Sequence, residues 1–135
     1  MPEPLSTSAG PAKLRPRVKV WFESEDGFGF GSGLVGILRA VEAAGSIKGA
    51  AERLDQSYRH VWGRVKRAEL ALGRSLVETQ IGGQAANRSG LTDEGRRLVA
   101  EYLDLRERML QLADAEIDRA QGSTRLPLVS KDPAV

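Results

Sequence analysis

Apolar residues recur at helical spacing through the middle of the chain, with one short break. The first row follows the i, i+3, i+4, i+7 rule for a single buried helix face and consists of Ile47, Ala50, Ala51 and Leu54. The second row has the same period and consists of Tyr58, Val61, Trp62, Val65 and Leu72. Between the rows, Asp55 tolerates a left-handed turn and Ser57 suits a helix N-cap. The pattern therefore predicts a helix-turn-helix.

Alternating apolar and polar residues precede this pair of helices. The alternation over residues 17–23 predicts a half-buried strand, and the turn chemistry of residues 24–27 leads to Phe28 and Phe30 as a short return strand. The two strands would form a hairpin. Trp21 would face away from the apolar side, where it either contacts another protein chain or covers the edge of the core.

A further helix is predicted at about residues 33–44, with Ser32 as its cap and Gly45 at its C-terminal end, and Ser46 then caps the helix that follows. Its apolar face consists of Leu34, Ile37, Leu38 and Val41. Residues 31–36 also form a literal G-x-G-x-x-G before this helix, as in dinucleotide-binding sites. Such a site requires a parallel β-α-β unit, whereas two more helices follow here, so nucleotide binding is disfavoured.

An extended run over residues 76–81 leads into a loop of small residues at 82–90, and Leu91 resumes the apolar pattern. A strand, loop and strand directly after a recognition helix are typical of a wing that reaches the flanking DNA backbone or minor groove. Arg88 is the one cation of this loop. The alternative is a plain hairpin loop without a DNA contact.

Thr92 is the predicted N-cap of a long helix at about residues 93–121. Two apolar rows run along that helix. One row consists of Leu98, Tyr102, Leu105, Met109 and Leu112, and the other of Val99, Leu103, Leu110 and Ile117. One row can cover the small domain while the other pairs with a second chain. We assign the first row, together with Trp21, to a dimer interface.

Charge is unevenly distributed, although the formal net charge is only +2. Residues 45–90 contain 8 Lys and Arg against 4 Asp and Glu, while residues 91–121 contain 5 against 8. A basic face on the predicted helix-turn-helix would attract phosphate backbone. An ordinary solvated surface of mixed charge is the alternative on charge alone.

Composition excludes several classes of site. There are no cysteines and one histidine, which excludes disulfides and thiol catalysis and disfavours a protein-built metal site, so no cofactor is expected. No apolar run is long enough to span a bilayer and the first residues lack the apolar centre of a signal peptide, so we expect a cytoplasmic protein without a membrane partner.

Four segments are predicted from these patterns. They are a flexible N-terminal arm at 1–15, a winged helix-turn-helix domain at 16–91, a long C-terminal dimerisation helix at 92–121 and a flexible tail at 122–135. The predicted fold class is mainly α with small β hairpins.

The third helix, at about residues 57–72, carries most of the candidate DNA-binding residues. Recognition helices read bases with their N-terminal side chains, which here are Ser57, Arg59, His60, Gly63 and Arg64, with Gln56 at the entry. His60 is either a base contact or an ordinary surface residue. Arginine suits guanine because its planar fork donates two hydrogen bonds to O6 and N7. Candidate phosphate contacts are Lys48, Lys66, Arg67 and Arg88. Tyr58 and Trp62 fall in the apolar row, where we expect core residues rather than platforms for single-stranded nucleic acid.

Several strings resemble the DNA-binding half of ModE-type molybdate-responsive repressors, which are related to LysR-type regulators. The strings are Phe28-Gly29-Phe30-Gly31, Gly45-Ser46-Ile47 with Ala50-Ala51, Ser57-Tyr58-Arg59 with Trp62, Leu76-Val77-Glu78 with Gly82-Gly83, and Leu91-Thr92-Asp93-Glu94-Gly95. The resemblance implies that Ser57, Tyr58 and Arg59 lie at the DNA end of the recognition helix. It also implies that Gly82 and Gly83 lie in the wing and that the long helix forms a dimer.

This sequence departs from the family's pattern in two places. Residues 84–87 interrupt the glycine run that is usual in the family's wing. Roughly 15 residues after the long helix leave no room for the family's molybdate-binding module, so molybdate is not expected to bind this chain directly.

Taken together, the patterns predict a homodimeric, sequence-specific transcriptional regulator, a repressor by resemblance, that binds a palindromic operator in double-stranded DNA. The alternative is a protein-interaction module that uses Trp21 and the long helix to dock a partner. An enzyme is not expected, because no nucleophile has a base in an evident motif.

Overall fold

A computed structural model describes residues 14–80 and 88–122 of the 135-residue chain. The described elements are β1 (Phe22–Glu23), β2 (Gly29–Phe30), α1 (Ser32–Ala44), α2 (Ile47–Leu54), α3 (Tyr58–Leu72), β3 (Val77–Gln80), β4 (Arg88–Leu91) and α4 (Asp93–Gly122). The predicted class, mainly helical with two small hairpins and a long C-terminal helix, is confirmed. None of the helices in the described ranges has the length and apolar character needed to cross a bilayer.

The chain divides into two compact units. One is Val20–Glu107, and the described residues of the other are 14–19 and 108–122. The first unit contains both hairpins, α1 to α3 and the first half of α4.

The first hairpin is shorter than its alternating sequence predicts. β1 and β2 pair antiparallel with Phe22 opposite Phe30, and only two residues of each strand take part. The predicted strand at 17–23 is therefore wrong for residues 17–21. A two-residue β2 offers pairing partners to only two residues of β1. The rings of Phe22 and Phe30 meet edge to face, with their centroids 5.3 Å apart.

α1 starts at Ser32 instead of being capped by it. Its N-cap is Gly31, and no side chain caps the helix there, so the prediction of Ser32 as the cap is wrong. Gly45 ends the helix with φ of 80°, a left-handed conformation that favours glycine. Both sheets of the described chain are antiparallel and two-stranded, so the glycine motif at residues 31–36 does not belong to a parallel β-α-β unit.

The predicted helix-turn-helix is present with its predicted caps. Ser46 Oγ accepts a hydrogen bond from Gly49 N–H (2.9 Å) at the start of α2. Asp55 ends α2 with φ of 58°. Ser57 Oγ then accepts from His60 N–H (3.0 Å) at the start of α3. Each side-chain cap contributes about 1 kcal/mol to helix stability, and the Ser57 cap fixes where α3 begins.

Both faces of α1 are buried, so the core forms two clusters. The cluster between α1, α2 and α3 consists of Ile37, Ala40, Val41, Ala50, Ala51, Val61 and Val65. The cluster between α1 and the hairpins consists of Phe30, Leu34, Leu38, Ala68, Leu76 and Leu91, with Leu98 and Val99 of α4 packed against it. α1 thus positions the helix-turn-helix on one side and the second hairpin on the other.

The second hairpin has the position of a wing, directly after α3. β3 and β4 pair antiparallel from Val77 opposite Leu91 to Gln80 opposite Arg88. The return strand therefore begins at Arg88, earlier than the apolar signal at Leu91 indicates. Gly82 and Gly83, which were predicted in the wing, lie outside the described residues. The predicted cap of α4 is confirmed, because Thr92 Oγ1 accepts from Gly95 N–H (2.9 Å).

Candidate nucleic-acid interface

α3 has one buried row and one outward row. Val61, Val65 and Ala68 are at most 1% exposed. At about 100° per residue, the row roughly opposite to them carries Arg59, Gly63 and Arg67. Exposed or half-exposed residues on the rest of α3 and at its entry include Gln56, Ser57, Tyr58, His60, Trp62, Arg64 and Lys66. The predicted DNA-binding residues of α3 are therefore all at least partly exposed.

This surface is strongly cationic. Glu69 is the one acidic residue of α3, and its side chain is largely covered, with 12% exposure. Arginines and a lysine therefore occupy the accessible side without a competing free carboxylate on the same helix. A surface of this charge suits a polyanion.

Tyr58 and Trp62 are not core residues, which corrects the prediction made from their spacing. Their side chains are 52% and 43% exposed. Their positions around the helix place both residues at the margin of the buried row. The Lys66 ammonium lies 5.7 Å from the centroid of the Trp62 ring, within the range of a cation–π contact.

Gly63 stands at the centre of the outward row. A Cβ built on this residue would meet nothing within 4 Å, so no neighbour in the described chain requires a glycine here. Glycine in a helix interior costs about 1 kcal/mol relative to alanine. The open space above Gly63 would let another molecule approach the backbone of α3.

Two arginines lie against glycines of α1. A Cβ on Gly33 would stand 3.3 Å from Arg64 Nη2, so the guanidinium of Arg64 lies beside the N-terminal end of α1. A Cβ on Gly45 would stand 3.1 Å from Arg88 Nη2 at the opposite end of the same helix. Arg88 there faces the partial negative charge of the helix C-terminus. The hydrogen bond from Ser89 N–H to the Gly45 carbonyl (2.7 Å) ties β4 to this point.

Glu69 links the recognition helix to the wing, a role that its sequence context did not indicate. Leu76 N–H (2.8 Å) and Val77 N–H (3.0 Å) both donate to Glu69 Oε2, and Lys66 Nζ lies 3.1 Å from Oε1. Burial raises the pKa of Glu69, but these hydrogen bonds and the charge of Lys66 outweigh burial, so the net pKa lies below its ordinary value. The sequence offers one weak signal, which is that Glu69 is the single acidic residue of an otherwise basic helix.

Glu69→Gln is expected to lower the free energy of unfolding by about 1–2 kcal/mol at neutral pH, because a neutral oxygen accepts the two N–H groups less strongly. The stabilisation is present above the unfolded-state pKa and is lost as pH falls through the lower folded-state pKa. The difference between variant and wild type should therefore shrink in acid. Urea unfolding at neutral and acidic pH measures it.

Glu52→Gln, on the exposed face of α2, is the matched control for this variant and should change stability little at either pH. An equal loss of stability for Glu69→Gln at both pH values would contradict the role of the carboxylate charge.

Leu76 is the point where α3, the wing and α4 meet. Its N–H donates to Glu69, its carbonyl accepts from Thr92 N–H (3.0 Å), and its side chain is 1% exposed. Thr92 Oγ1 also donates to the Ser75 carbonyl (2.7 Å). A Cβ on Gly95 would stand 2.4 Å from the Leu76 carbonyl oxygen. Only glycine therefore fits at position 95.

The remaining predicted DNA contact, Lys48, is exposed in the first turn of α2. Lys48 is thus accessible, but no described contact places it beside α3. Gly82 and Gly83 lie outside the described residues.

The predicted dimer row divides into two parts. Tyr102 is 2% exposed, its hydroxyl donates to the Val20 carbonyl (3.0 Å), and its ring meets Phe22 edge to face. Leu98 packs against the cluster between α1 and the hairpins. Tyr102 therefore belongs to the core of its own unit, which corrects its assignment to a dimer interface, whereas Leu98 is only partly buried by that core. The row had been identified by its period, and period does not tell which partner covers a residue.

The other predicted dimer residues keep some exposure. Leu105 and Met109 are half-buried, and Leu112 is 52% exposed. Trp21 is 47% exposed. These four residues remain candidates for a contact with a second chain.

A family model described as "Bacterial regulatory helix-turn-helix protein, lysR family" matches residues 34–96. The match runs from α1 to the first turn of α4 and includes the whole helix-turn-helix, the recognition helix and the wing. This family consists of DNA-binding regulators and not of enzymes.

A curated relative is the molybdenum transport protein ModE of Azotobacter vinelandii, which is 36% identical over 66 residues, 49% of this chain. The chain spans 24% of that relative's length.

Solved structures with similarity include a CbnR_DBD–DNA complex, with 26% identity over 68% of this chain and 95% of that chain and a TM-score of 0.43. ArgP from Mycobacterium tuberculosis is 30% identical over 58% of this chain and 28% of its own, with a TM-score of 0.44.

Proposed function

From the match of residues 34–96 to the lysR-family helix-turn-helix model, we propose that the chain is a transcriptional repressor of the molybdate-responsive type with a LysR-type DNA-binding domain. It binds a palindromic operator in double-stranded DNA as a homodimer. The observation that carries the proposal is the outward row of α3, in which Arg59 and Arg67 flank the open backbone of Gly63. The 36% identity to a ModE protein supports the molybdate-responsive type.

Base reading is assigned to the first turns of α3. Arg59 projects from the outward row near the N-terminus, where a recognition helix meets base edges, and its fork matches guanine O6 and N7. His60 is exposed on the next position and adds a second contact. Ser57 is occupied as the N-cap, so its hydroxyl orients the helix, while Gln56 and Tyr58 flank the entry.

Phosphate contacts are assigned to the cations around this centre. They are Lys48, Arg64, Lys66, Arg67 and Arg88. Arg64 moves from base reading to this group, because its guanidinium lies beside the start of α1 and away from the outward row. These contacts fix register and carry the salt dependence of binding. In the wing, Gly82 and Gly83 would let the hairpin approach the backbone closely.

The homodimer is assigned to the exposed part of the long helix, with Leu105, Met109 and Leu112, and to Trp21. An isolated helix gains most of its stability from packing, so apolar residues along α4 favour a second copy as their cover. A two-fold axis would set two recognition helices about 34 Å apart, one turn of DNA.

Selection of bound duplexes from a random library, followed by sequencing, tests the proposed function. We expect enrichment of one sequence whose two halves are related by inverted symmetry. Selection in the presence and absence of molybdate shows whether the anion acts on this chain. Failure to enrich any sequence over the input library would contradict the proposal.

Gly63→Ala is expected to have opposite effects on folding and on binding. The free energy of unfolding should rise by about 0.5–1 kcal/mol, because alanine favours the helix and the site is open. Affinity for the selected operator should fall about tenfold, because the new methyl group overpacks the interface with DNA. Urea unfolding and fluorescence anisotropy measure the two effects.

Gly36→Ala is the matched control for this pair of measurements. Gly36 lies inside α1, and a Cβ there also meets nothing within 4 Å. The control should stabilise the fold without weakening binding. If Gly63→Ala binds the operator as tightly as wild type, the close approach of DNA to α3 is wrong.

A further inference from the structure

An aromatic side chain stands uncovered beside the reading surface. Trp62 is 43% exposed although it is one of the largest apolar residues of the chain. It is the fifth residue of α3, so it lies about 6 Å along the helix axis from Tyr58. Large apolar side chains left exposed among charged residues often mark a site that a partner covers.

The surroundings of Trp62 indicate the charge of that partner. Arg59 lies one turn before it on the same side of the helix, and Lys66 lies one turn after it with its ammonium 5.7 Å from the ring. The carboxylate of Glu69, two turns further along this flank, is occupied by the wing and by Lys66. Lys66 is paired with Glu69, so Arg59 is the cation next to Trp62 that is left for a partner, and an anionic partner that offers an apolar group to the ring would match both side chains.

Duplex DNA meets both requirements in its major groove. Its bases are stacked on one another, so an indole cannot stack on them as it would on a single strand. The one apolar group that base edges present in the groove is the C5-methyl of thymine. Arg59, one turn away, would meanwhile donate to a guanine edge in the same groove.

We propose that Trp62 is a specificity-determining residue, which contacts a thymine C5-methyl group in the major groove. The inference rests on the proposed function, since it requires α3 to enter that groove. Trp62 then reads thymine beside the base that Arg59 reads. The indole thereby selects an A·T pair by apolar contact, while the arginine selects G·C by hydrogen bonding.

Single deoxyuridine substitutions in the selected operator test the proposal, because uracil differs from thymine only by this methyl group. With wild type, one thymine in each half-site should show about a fivefold loss of affinity on substitution, the effect of one buried methyl group. With Trp62→Ala, deoxyuridine at that thymine should not change the affinity. Deoxyuridine at the other thymines should have the same effect as with wild type. Trp62→Phe should retain part of the sensitivity.

Leu70→Ala is the control, since it removes another exposed apolar side chain from the C-terminal part of α3 and should leave the Trp62-dependent position sensitive. Trp62→Gln serves as a second variant if Trp62→Ala does not fold, which thermal unfolding shows directly. A uracil profile that is the same in wild type and in the Trp62 variants overturns the inference, as expected if an acidic protein covers Trp62 instead. If the selection from the random duplex library enriches no operator sequence, the proposed function itself is wrong. The two failures are therefore distinguishable.

Discussion

Gly95→Ala is expected to lower the free energy of unfolding by about 3 kcal/mol, at the upper end of the range for overpacking a buried site. The new Cβ would stand 2.4 Å from the Leu76 carbonyl oxygen and 3.2 Å from its carbon. Both atoms are backbone, so no side-chain rotation relieves the overlap.

Leu76 also cannot shift without breaking other contacts. Its carbonyl accepts from Thr92 N–H, its N–H donates to Glu69, and its side chain is fully buried. A movement of Leu76 would therefore strain the cap of α4 and the start of the wing together. The expected loss of stability reflects this coupling.

Urea unfolding followed by circular dichroism measures the effect of Gly95→Ala. Gly36→Ala, in the open site of α1, is the matched control and should gain up to about 1 kcal/mol. A Gly95→Ala protein that unfolds at the same urea concentration as wild type would contradict the described packing of α4 against Leu76.

Arg59→Ala is expected to weaken binding to the selected operator by about 10- to 100-fold, the usual discrimination of one bidentate contact with guanine. Binding to unrelated duplex should weaken much less, because only one charge is lost. Specificity therefore falls more than affinity for DNA in general. Anisotropy titrations with both duplexes measure the two losses.

Two further variants separate the shape of the side chain from its charge. Arg59→Lys keeps the charge but lacks the planar fork, so it should recover non-specific binding and little of the specificity. Arg39→Ala removes an exposed arginine from the outer face of α1 and should leave specificity unchanged. If Arg59→Ala loses affinity equally for operator and unrelated duplex, Arg59 contacts phosphate and does not read a base.

Local sequence signals predicted the local structure well. Ser46, Asp55 and Ser57 have the predicted capping and turn roles, because a cap depends on residues within three or four positions of it. The helix-turn-helix and the start of α4 follow from such signals. Ser32 was misplaced because glycine at the preceding position can itself take the N-cap place without a side-chain bond.

Periodicity was a weaker guide to what covers each residue. Tyr58 and Trp62 share the spacing of Val61 and Val65 but lie at the margin of the buried face and are 52% and 43% exposed. Tyr102 shares the spacing of a dimer seam but hydrogen-bonds to Val20, 82 positions earlier. Such contacts depend on the tertiary fold, and the spacing of apolar residues along one helix does not predict them.

Long-range contacts around the wing could not be predicted from local patterns. Glu69 looks like a solvated acid in a basic helix, yet it holds the N–H groups of Leu76 and Val77. Gly95 looks like a residue of low helix propensity in the first turn of α4. However, the Leu76 carbonyl, just before the second hairpin, leaves no room for a Cβ at this position. Both roles become visible only once α3, the wing and α4 are placed together.

The salt dependence of binding to the selected operator, measured beside a scrambled duplex of the same length, tests the central claim most directly. Affinity for the operator should fall by roughly a thousandfold or more between about 50 and 200 mM salt, as several phosphate contacts from each protomer release counterions. The operator should also bind more tightly than the scrambled duplex at every salt concentration. Equal affinity for the two duplexes, or no binding even at the lowest salt concentration, would contradict a sequence-specific DNA-binding role.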